Sequence, residues 1–416
     1  MHDATLEVDR PDLIDTAIDV GHPYDRRLLA VSVAGFCVFL SVYATQSLLP
    51  LLRETYHTTE ARAAMTITAV TAAVAITAPW IGMLSERVGR KRTIVGAILL
   101  LTVPLLGAAT ARSLNGLIAW RFAQGLVMPG IIAVTMAYVS AEWPPHHVGT
   151  AMSAYITGNV LGGVTGRTMA GIVGEHFGWQ HVFVVLGTVN LAGGLLILFL
   201  LPRARRTTPP PLADALAAMG RHFLNGRLLS SFFVGSALLF ALVATLNYIA
   251  YHLAGPPFNL RPTQIGLLFL VYLVGLVVTP IGGRFIDRRG QRFAVVAAVC
   301  MSMCGVALAL LPSVTLAVVG LAICCSGIFV GQAATASYMG LAAGRAKGSA
   351  AGLYATFYYA GGAAGSYVPG RFIWSDAHAT WGHWPATVTL ILAVFASAAA
   401  VAAIAWPGRQ ADDSPR

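Results

Sequence analysis

Long apolar segments separated by short polar loops run through the whole chain. Each segment has about the 20 residues that a helix needs to cross a bilayer, where backbone groups must be hydrogen-bonded within the helix. The pattern therefore predicts an all-α polytopic membrane protein with twelve transmembrane helices. They are expected near residues 28 to 50, 64 to 84, 93 to 111, 116 to 140, 150 to 174, 179 to 201, 229 to 252, 264 to 286, 293 to 312, 315 to 341, 350 to 373 and 384 to 406.

The composition supports the membrane assignment. Charged residues make up 11% of the 416 positions and hydrophobic residues 56%, whereas soluble domains carry about a quarter charged residues. Neither a metal site nor an enzymatic centre is expected. The cysteines fall in apolar segments without nearby histidines or acids, and no nucleophile, base and oxyanion arrangement or phosphate loop is visible.

One basic loop occurs twice, each time between two apolar segments. GMLSERVGRKRT begins at Gly82 and GGRFIDRRGQRF at Gly282. At an offset of 201 residues, Pro79, Gly82, Glu86, Arg87 and Gly89 correspond to Pro280, Gly283, Asp287, Arg288 and Gly290. A second echo, at an offset of 204, aligns Tyr155, Gly158, Gly166 and Arg167 with Tyr359, Gly362, Gly370 and Arg371. These echoes predict two pseudo-symmetric six-helix bundles.

The duplication and the polar stretches divide the chain. We expect a disordered acidic tail at 1–25, an N-terminal bundle at 26–202, a linker at 203–228, a C-terminal bundle at 229–406 and a short tail at 407–416. With the N-terminus in the cytoplasm, the internal side collects 20 of the 27 Lys and Arg residues, as the positive-inside rule requires. Both termini and the linker are therefore predicted to be cytoplasmic. The basic residues are dispersed over short loops, which argues against nucleic-acid binding.

The repeated loop resembles motif A of the major facilitator superfamily, a family of transporters that work by alternating access. The resemblance covers nearly the whole chain and implies a gating role for the loop residues. In that arrangement Glu86 faces the cytoplasmic end of helix 11, and Asp287 that of helix 5, where the partial positive charge of a helix N-terminus attracts a carboxylate. The implied gating residues are Gly82, Glu86, Arg87, Gly89, Arg90, Lys91, Gly283, Asp287, Arg288 and Gly290.

A second resemblance concerns the sequence WRFAQG in the fourth segment. Arg121 and Gln124 resemble motif B, which is associated with proton-coupled members, and they are interpreted as coupling residues. The fifth segment matches the antiporter motif C only in part, since Gly163 replaces its proline and Arg167 a glycine. The segments YATQSLLPLL and GNVLGGVTGR look most like those of YnfM-type bacterial efflux permeases of the 12-span drug:proton antiporter group.

The charges inside the predicted spans are all positive. Arg121, Arg167 and Arg371 lie within spans, while all 17 carboxylates lie in tails, loops or span ends. Unpaired arginines would repel a cationic drug, so neutral or anionic amphipathic substrates are expected. Coupled protons would have to be carried by Glu142, Glu175, Asp376, a histidine such as His181, or the substrate itself.

Arg167 and Arg371 have two interpretations that the sequence leaves open. In the first, the side chain bonds to free backbone carbonyls or extends towards the membrane interface. In the second, it contacts the substrate. Further polar and aromatic residues could line a central path. The full set of cavity candidates is Gln46, Tyr155, Asn159, Arg167, Asn247, Tyr248, Tyr251, Gln332, Tyr358, Tyr359 and Arg371.

The sequence thus predicts a monomeric secondary active transporter in a bacterial inner membrane, with a small-molecule substrate and the lipid bilayer as partners. Proton-coupled efflux of small amphipathic compounds is the main hypothesis, with the proton gradient as energy source and no cofactor. A sugar or organic-anion transporter is the alternative within transport. A non-transporting membrane sensor is disfavoured, because the chain has no sizeable soluble domain to carry an output.

Overall fold

The structure is a computed structural model that describes residues 23–144, 147–202, 217, 219–344, 347–375 and 382–407. The acidic tail up to residue 22, most of the linker, Asp376 and the last nine residues lie outside this part. The predictions made for them stay predictions.

In the described residues, twelve membrane-crossing helices follow one another, and no strand is present. We number them α1 to α12. In the first half, α1 consists of Pro23–Val42, the 3-10 turn Ala44–Leu48 and Leu49–Thr55; α2 is Glu60–Val88; α3 is Arg90–Ala109; α4 is Leu114–Val127 with Pro129–Glu142; α5 is Val148–Phe177; and α6 is Trp179–Leu200.

The second half repeats this series. Here α7 is Gly226–Ala254; α8 consists of Pro262–Leu268, the 3-10 turn Phe269–Leu273 and Val274–Arg289; α9 is Gln291–Leu308; α10 is Val314–Ala342; α11 is Lys347–Phe372; and α12 is His383–Ala405. Most helices extend a few residues beyond the predicted spans, because their ends project past the apolar segments.

Ten of these helices are long and apolar enough to cross a membrane by composition alone; the exceptions are α5 and α11. Both are rich in glycine and polar residues. Their glycines allow close packing: a methyl group added at Gly158, Gly162 or Gly166 of α5 would collide with the α1 backbone. Close backbone approach at small residues is a usual way for membrane helices to associate.

The packing shows that the second echo has a different register from the sequence alignment. Gly158 and Gly162 meet Ser32 and Phe36 of α1, while Gly361 and Gly365 meet Ser236 and Phe240 of α7. The structural offset between α5 and α11 is therefore 203 residues, not 204. Consequently Gly370, rather than Arg371, is equivalent to Arg167. Likewise Tyr358, rather than Tyr359, is equivalent to Tyr155.

Both basic loops are tight turns at the same end of the bundle. Gly89 and Gly290 each end one helix and precede the next, with φ values of 98° and 82°. L-residues rarely adopt such positive φ angles, which is why the repeated motif needs glycine at this position. We call this end of the molecule the basic end and the other the opposite end.

The two halves touch along α2 and α11 and along α5 and α8. At the opposite end Thr168 Oγ1 donates to the Gly266 carbonyl at 3.2 Å, and the Tyr251 hydroxyl donates to the Glu60 carbonyl at 3.3 Å. Towards the basic end, the segment Val274–Arg289 barely touches α5, and α4 and α10 do not pack on the other half. Thus α5 and α8 are joined at the opposite end and diverge towards the basic end, whereas α2 and α11 stay in contact as far as Pro79 and Gly352.

Candidate functional site

Arg121 on α4 is fully buried beside a break in α1. The first α-helical segment of α1 ends at Val42. Its last carbonyl groups therefore lack their usual partners within the helix. The guanidinium donates to the carbonyls of Ser41 at 2.8 Å and Val42 at 2.6 Å, and to that of Thr66 on α2 at 3.1 Å. Arg121 therefore joins α1, α2 and α4.

Gln124 completes this arrangement, since its Oε1 accepts a hydrogen bond from Arg121 at 2.6 Å. The two residues predicted to act in coupling are thus in direct contact. With four hydrogen bonds inside the protein, the Arg121 side chain is committed to holding the broken α1. Any coupling role would act through the position of that helix.

Arg167 on α5 is also buried, with 1% of its surface exposed, but it lies where the two halves meet. Its Nε donates to Gln46 Oε1 at 2.6 Å and its terminal nitrogen to the Gly163 carbonyl at 2.8 Å. In the described part of the chain, no carboxylate lies within ion-pair distance of it. The charge is balanced instead by dipoles and by the faces of aromatic rings.

Those rings come from both halves of the molecule. The guanidinium carbon lies 5.1 Å from the ring centre of Tyr43 on α1, and 5.3 and 4.8 Å from those of Phe269 and Tyr272 on α8. Tyr358 and Tyr359 of α11 are near enough to Tyr43 and Tyr272 to interact with them electrostatically. We call Arg167 and these five aromatic residues the central cluster.

A chain of amides and hydroxyls closes the central cluster on one side. Gln46 Nε2 donates to Asn247 Oδ1 at 2.8 Å, and Asn247 Nδ2 donates to Ser366 Oγ at 3.0 Å. Ser366 in turn donates to the Ala64 carbonyl at 2.9 Å. Gln46 of α1 and Asn247 of α7 thus bond the two halves directly to each other.

The hydroxyl of Tyr43 is the unusual atom of the central cluster. It is buried and has no hydrogen-bond partner among the described residues. Leaving a buried hydroxyl unpaired costs about 1–3 kcal/mol. Each such group in a native protein needs a specific explanation, for example a functional role or a bound water or ion.

Several other predicted cavity residues have packing partners. Tyr248 donates to the Ser366 carbonyl at 2.6 Å and lies beside Tyr251 and Trp374. Tyr155 donates to the Ile132 carbonyl at 3.4 Å. Asn159 differs from these residues. Its side-chain Oδ1 is buried without a hydrogen-bond partner among the described residues, where α5 contacts Gly35 of α1.

Two candidates are separate from the central cluster. Arg371 is exposed in the last turn of α11, where it lies over Phe372 at 6.0 Å, because the register of α11 gives the inward position to Gly370. Gln332 is half-buried on α10. The sequence interpretation missed Tyr43, Phe269, Tyr272 and Ser366, because the break in α1 that places Tyr43 is visible only in the folded structure.

The predicted gating residues lie at the basic end. Glu86 is half-buried and Asp287 is exposed, and neither carboxylate forms an ion pair with a described residue. Their expected partners are the starts of α11 and α5, which adjoin residues outside the described part. The separation of α5 from Val274–Arg289 leaves the Asp287 side of this end open, whereas α2 and α11 are packed together at Pro79 and Gly352.

Glu175, in the last turn of α5 beyond the predicted span, connects the halves at the opposite end. Its Oε2 accepts the Thr263 backbone N–H at the start of α8, at 2.9 Å. This hydrogen bond, helped by His176 and Arg261, lowers the pKa of the Glu175 carboxyl. The group is therefore ionised at neutral pH, which disfavours it as the carrier of a coupled proton.

No group of three metal-ligating side chains lies together in the described part of the chain.

A family model matches this arrangement of helices. The model described as Major Facilitator Superfamily covers residues 31–366. Among curated proteins, the MFS-type transporter YybF of Bacillus subtilis is 31% identical over 87% of this chain and 90% of its own length. The inner membrane transport protein YnfM of Escherichia coli is 30% identical over 89% of this chain and 88% of its own length.

Solved structures share the fold. A bacterial homologue of the human lysosomal transporter Spinster, in an inward-facing and unoccupied conformation, superposes with a TM-score of 0.74 over 92% of this chain and 97% of its own, at 14% identity. The human organic anion transporter MFSD10 has a TM-score of 0.70 over 91% of this chain and 99% of its own, at 17% identity.

Proposed function

This chain belongs to the major facilitator superfamily and is a multi-pass secondary transporter, and from that premise we propose that it exports small amphipathic compounds, neutral or anionic, in exchange for protons. The observation that supports the substrate class is the central cluster. It places one buried cation among aromatic rings from both halves, and no carboxylate of the described residues pairs with it. A site built from both halves is suited to alternating access, because rocking of the bundles would expose it to either side.

The proposed orientation places the basic end in the cytoplasm of a bacterial cell, with the protein in the inner membrane. The charge distribution supports this orientation through the positive-inside rule. With that topology, the opposite-end contacts Glu175–Thr263 and Tyr251–Glu60 close the outer side. The α5–α8 side of the interface is then open towards the cytoplasm, and its closure would bring Asp287 to the start of α5, while Glu86 lies on the α2–α11 side, which is packed at Pro79 and Gly352.

Proton coupling is supported by the resemblance of Arg121 and Gln124 to motif B. Their hydrogen bonds to the broken α1 suggest how they would contribute. We propose that they set the position of the segment that carries Tyr43 and Gln46. The proton itself would be carried by Glu142, by a histidine such as His181, or by the substrate.

The test is transport by purified protein in proteoliposomes, with and without an imposed pH gradient. A panel of labelled neutral, anionic and cationic amphiphiles should show gradient-driven movement of neutral or anionic members. The control is the same vesicles treated with a protonophore, which should lose accumulation above equilibrium. Gradient-driven movement of quaternary ammonium dyes alone would contradict the proposed substrate class, and movement that ignores the gradient would contradict proton coupling.

A further inference from the structure

Two observations in the central cluster point to the chemical nature of the ligand. The first is the cation of Arg167, which is buried and has no carboxylate partner in the described residues. The second is the hydroxyl of Tyr43, which is buried, lacks a hydrogen-bond partner and belongs to a ring 5.1 Å from that cation. A free donor beside an uncompensated positive charge is suited to a ligand with negatively charged oxygen atoms.

The donor inventory of Arg167 fits such a ligand. A guanidinium has five N–H groups in a planar fork that matches the two oxygens of a carboxylate. Two of its nitrogens donate to Gln46 and Gly163, which fixes the orientation of the fork without using all of its donors. The Gln46 bond is itself held by Asn247 of the other half, so the site is pre-organised only when the halves are joined.

The charge of the site favours a monoanion over a dianion. One guanidinium neutralises one carboxylate, and the surrounding groups of the central cluster are neutral rings and amides. A phosphate dianion would leave an unpaired negative charge inside the membrane, where isolated charges are strongly disfavoured.

The aromatic surroundings favour a flat, apolar body behind the carboxylate. Tyr272 packs against Phe329 at 4.8 Å, Tyr358 against Tyr359 at 5.5 Å, and Tyr354 stacks with Tyr358 at 5.8 Å. Tyr354 and Tyr358 are half-buried and follow one another along α11 from the basic end towards Arg167. An aromatic ligand could pack on the outer faces or edges of such rings, by offset stacking or edge contact.

We propose that the central cluster binds a planar organic monocarboxylate, whose carboxylate lies between the Arg167 guanidinium and the Tyr43 hydroxyl. The body of the ligand lies against Tyr272 and Tyr358. This inference rests on the proposed function, since it names the substrate class of the same site. Arg167 and Tyr43 are then the residues that determine specificity for the anion.

The test measures binding, which needs neither a gradient nor transport. The full chain, purified in detergent, is titrated with benzoate and 2-naphthoate and with their uncharged amides, benzamide and 2-naphthamide, by calorimetry and thermal unfolding. The acids should bind at least about tenfold more tightly than the amides, since a charged hydrogen-bonded pair is lost with the amide. Equal binding of acid and amide, or no binding of either acid, would overturn the proposal.

Substitutions locate the binding to the two residues. Arg167→Gln should abolish the preference for acids. Tyr43→Phe, which keeps the ring, should weaken acid binding about tenfold and leave amide binding unchanged. The matched control is Arg371→Gln, which removes an exposed arginine and should change neither. If Arg167→Gln does not fold, Tyr43→Phe decides, and unchanged acid binding in that variant would refute the proposal.

The outcome also separates this inference from the proposed function. Acid binding without transport in proteoliposomes would refute the transport proposal and retain the site. Gradient-driven transport of other compounds without acid binding would refute the site and retain the transport proposal.

Discussion

At the residue scale, the two buried arginines differ in what they bond. Arg121 donates to three backbone carbonyls and to Gln124, all within the first half of the molecule. Arg167 bonds Gln46 and Gly163 and otherwise faces aromatic rings of both halves. One arginine thus stabilises a helix break, and the other lies at the interface that must change during transport.

Arg121→Met should therefore destabilise the protein. The apolar side chain fills similar space but leaves the carbonyls of Ser41, Val42 and Thr66 without donors, at a cost of roughly 3 kcal/mol or more. Thermal unfolding in detergent would measure the change. Arg371→Met is the control, since that side chain is exposed and its loss should stay within about 0.5 kcal/mol. Equal stabilities of the two variants would show that the Arg121 hydrogen bonds do not stabilise the break in α1.

At the scale of the helices, glycines fix how α5 lies on α1 and α11 on α7. Gly162 and Gly365 occupy equivalent positions, where the α1 and α7 backbones at Phe36 and Phe240 leave no space for a methyl group. The same glycines lower the apolar character of α5 and α11, so that these two helices fail a composition test for membrane spans. Their lipid exposure is reduced by their packing within the bundle.

Gly162→Ala should destabilise the first half by about 1–3 kcal/mol, because the added methyl forces α5 away from α1. Gly365→Ala should act similarly on the second half. The control is Gly96→Ala on α3, where nothing lies within 4 Å of an added methyl and the better helix propensity of alanine is neutral or favourable by up to about 1 kcal/mol. A destabilisation by Gly96→Ala as large as that by Gly162→Ala would show that loss of glycine, not close packing, is responsible.

At the scale of the whole molecule, contacts at the two ends should oppose each other. Glu175 joins the halves at the opposite end through Thr263, whereas Glu86 and Asp287 are available at the basic end. Glu86→Gln and Asp287→Gln should each weaken closure of the basic end and increase the inward-facing population. Glu175→Gln should shift the population the other way, by severalfold for a contact worth about 1 kcal/mol.

Cysteine accessibility from the two sides of the membrane would measure these shifts. The double variant Glu86→Gln with Asp287→Gln should approach the sum of the single shifts, since the two contacts are separate and bias one equilibrium. Shifts of opposite sign for Glu86→Gln and Asp287→Gln would rule out symmetric gates.

The opposite-end contact also sets a pH dependence. Because the Thr263 hydrogen bond lowers the pKa of Glu175, the contact is present above the ordinary carboxyl pKa and is lost only as the pH falls through the lowered value. The effect of Glu175→Gln on the inward-facing population should therefore stay constant between about pH 8 and pH 5. Measuring the inward-facing populations of wild type and Glu175→Gln over this range checks this expectation. If the difference between the two populations disappeared near pH 6.5, Glu175 would have to titrate at a higher pH than expected.

The sequence by itself determined the number of membrane-crossing helices, the two halves and the family. These features depend on apolar segment length and on a repeated loop, and both are local properties that a linear pattern displays. Arg121 and Gln124 could be paired in advance for the same reason, since residues three apart share one face of a helix.

Only the tertiary structure decided which in-span residues meet at the centre. The 204-residue echo suggested that Arg167 and Arg371 are equivalent, but helix packing aligns Arg167 with Gly370. A shift of one residue turns a side chain by about 100° around a helix. Similarly, Tyr43 and Tyr272 are 229 positions apart in the chain, and no local pattern indicates that both rings lie over Arg167. Their meeting depends on how two helix breaks, in α1 and α8, are packed against α5, and that arrangement exists only in the folded bundle.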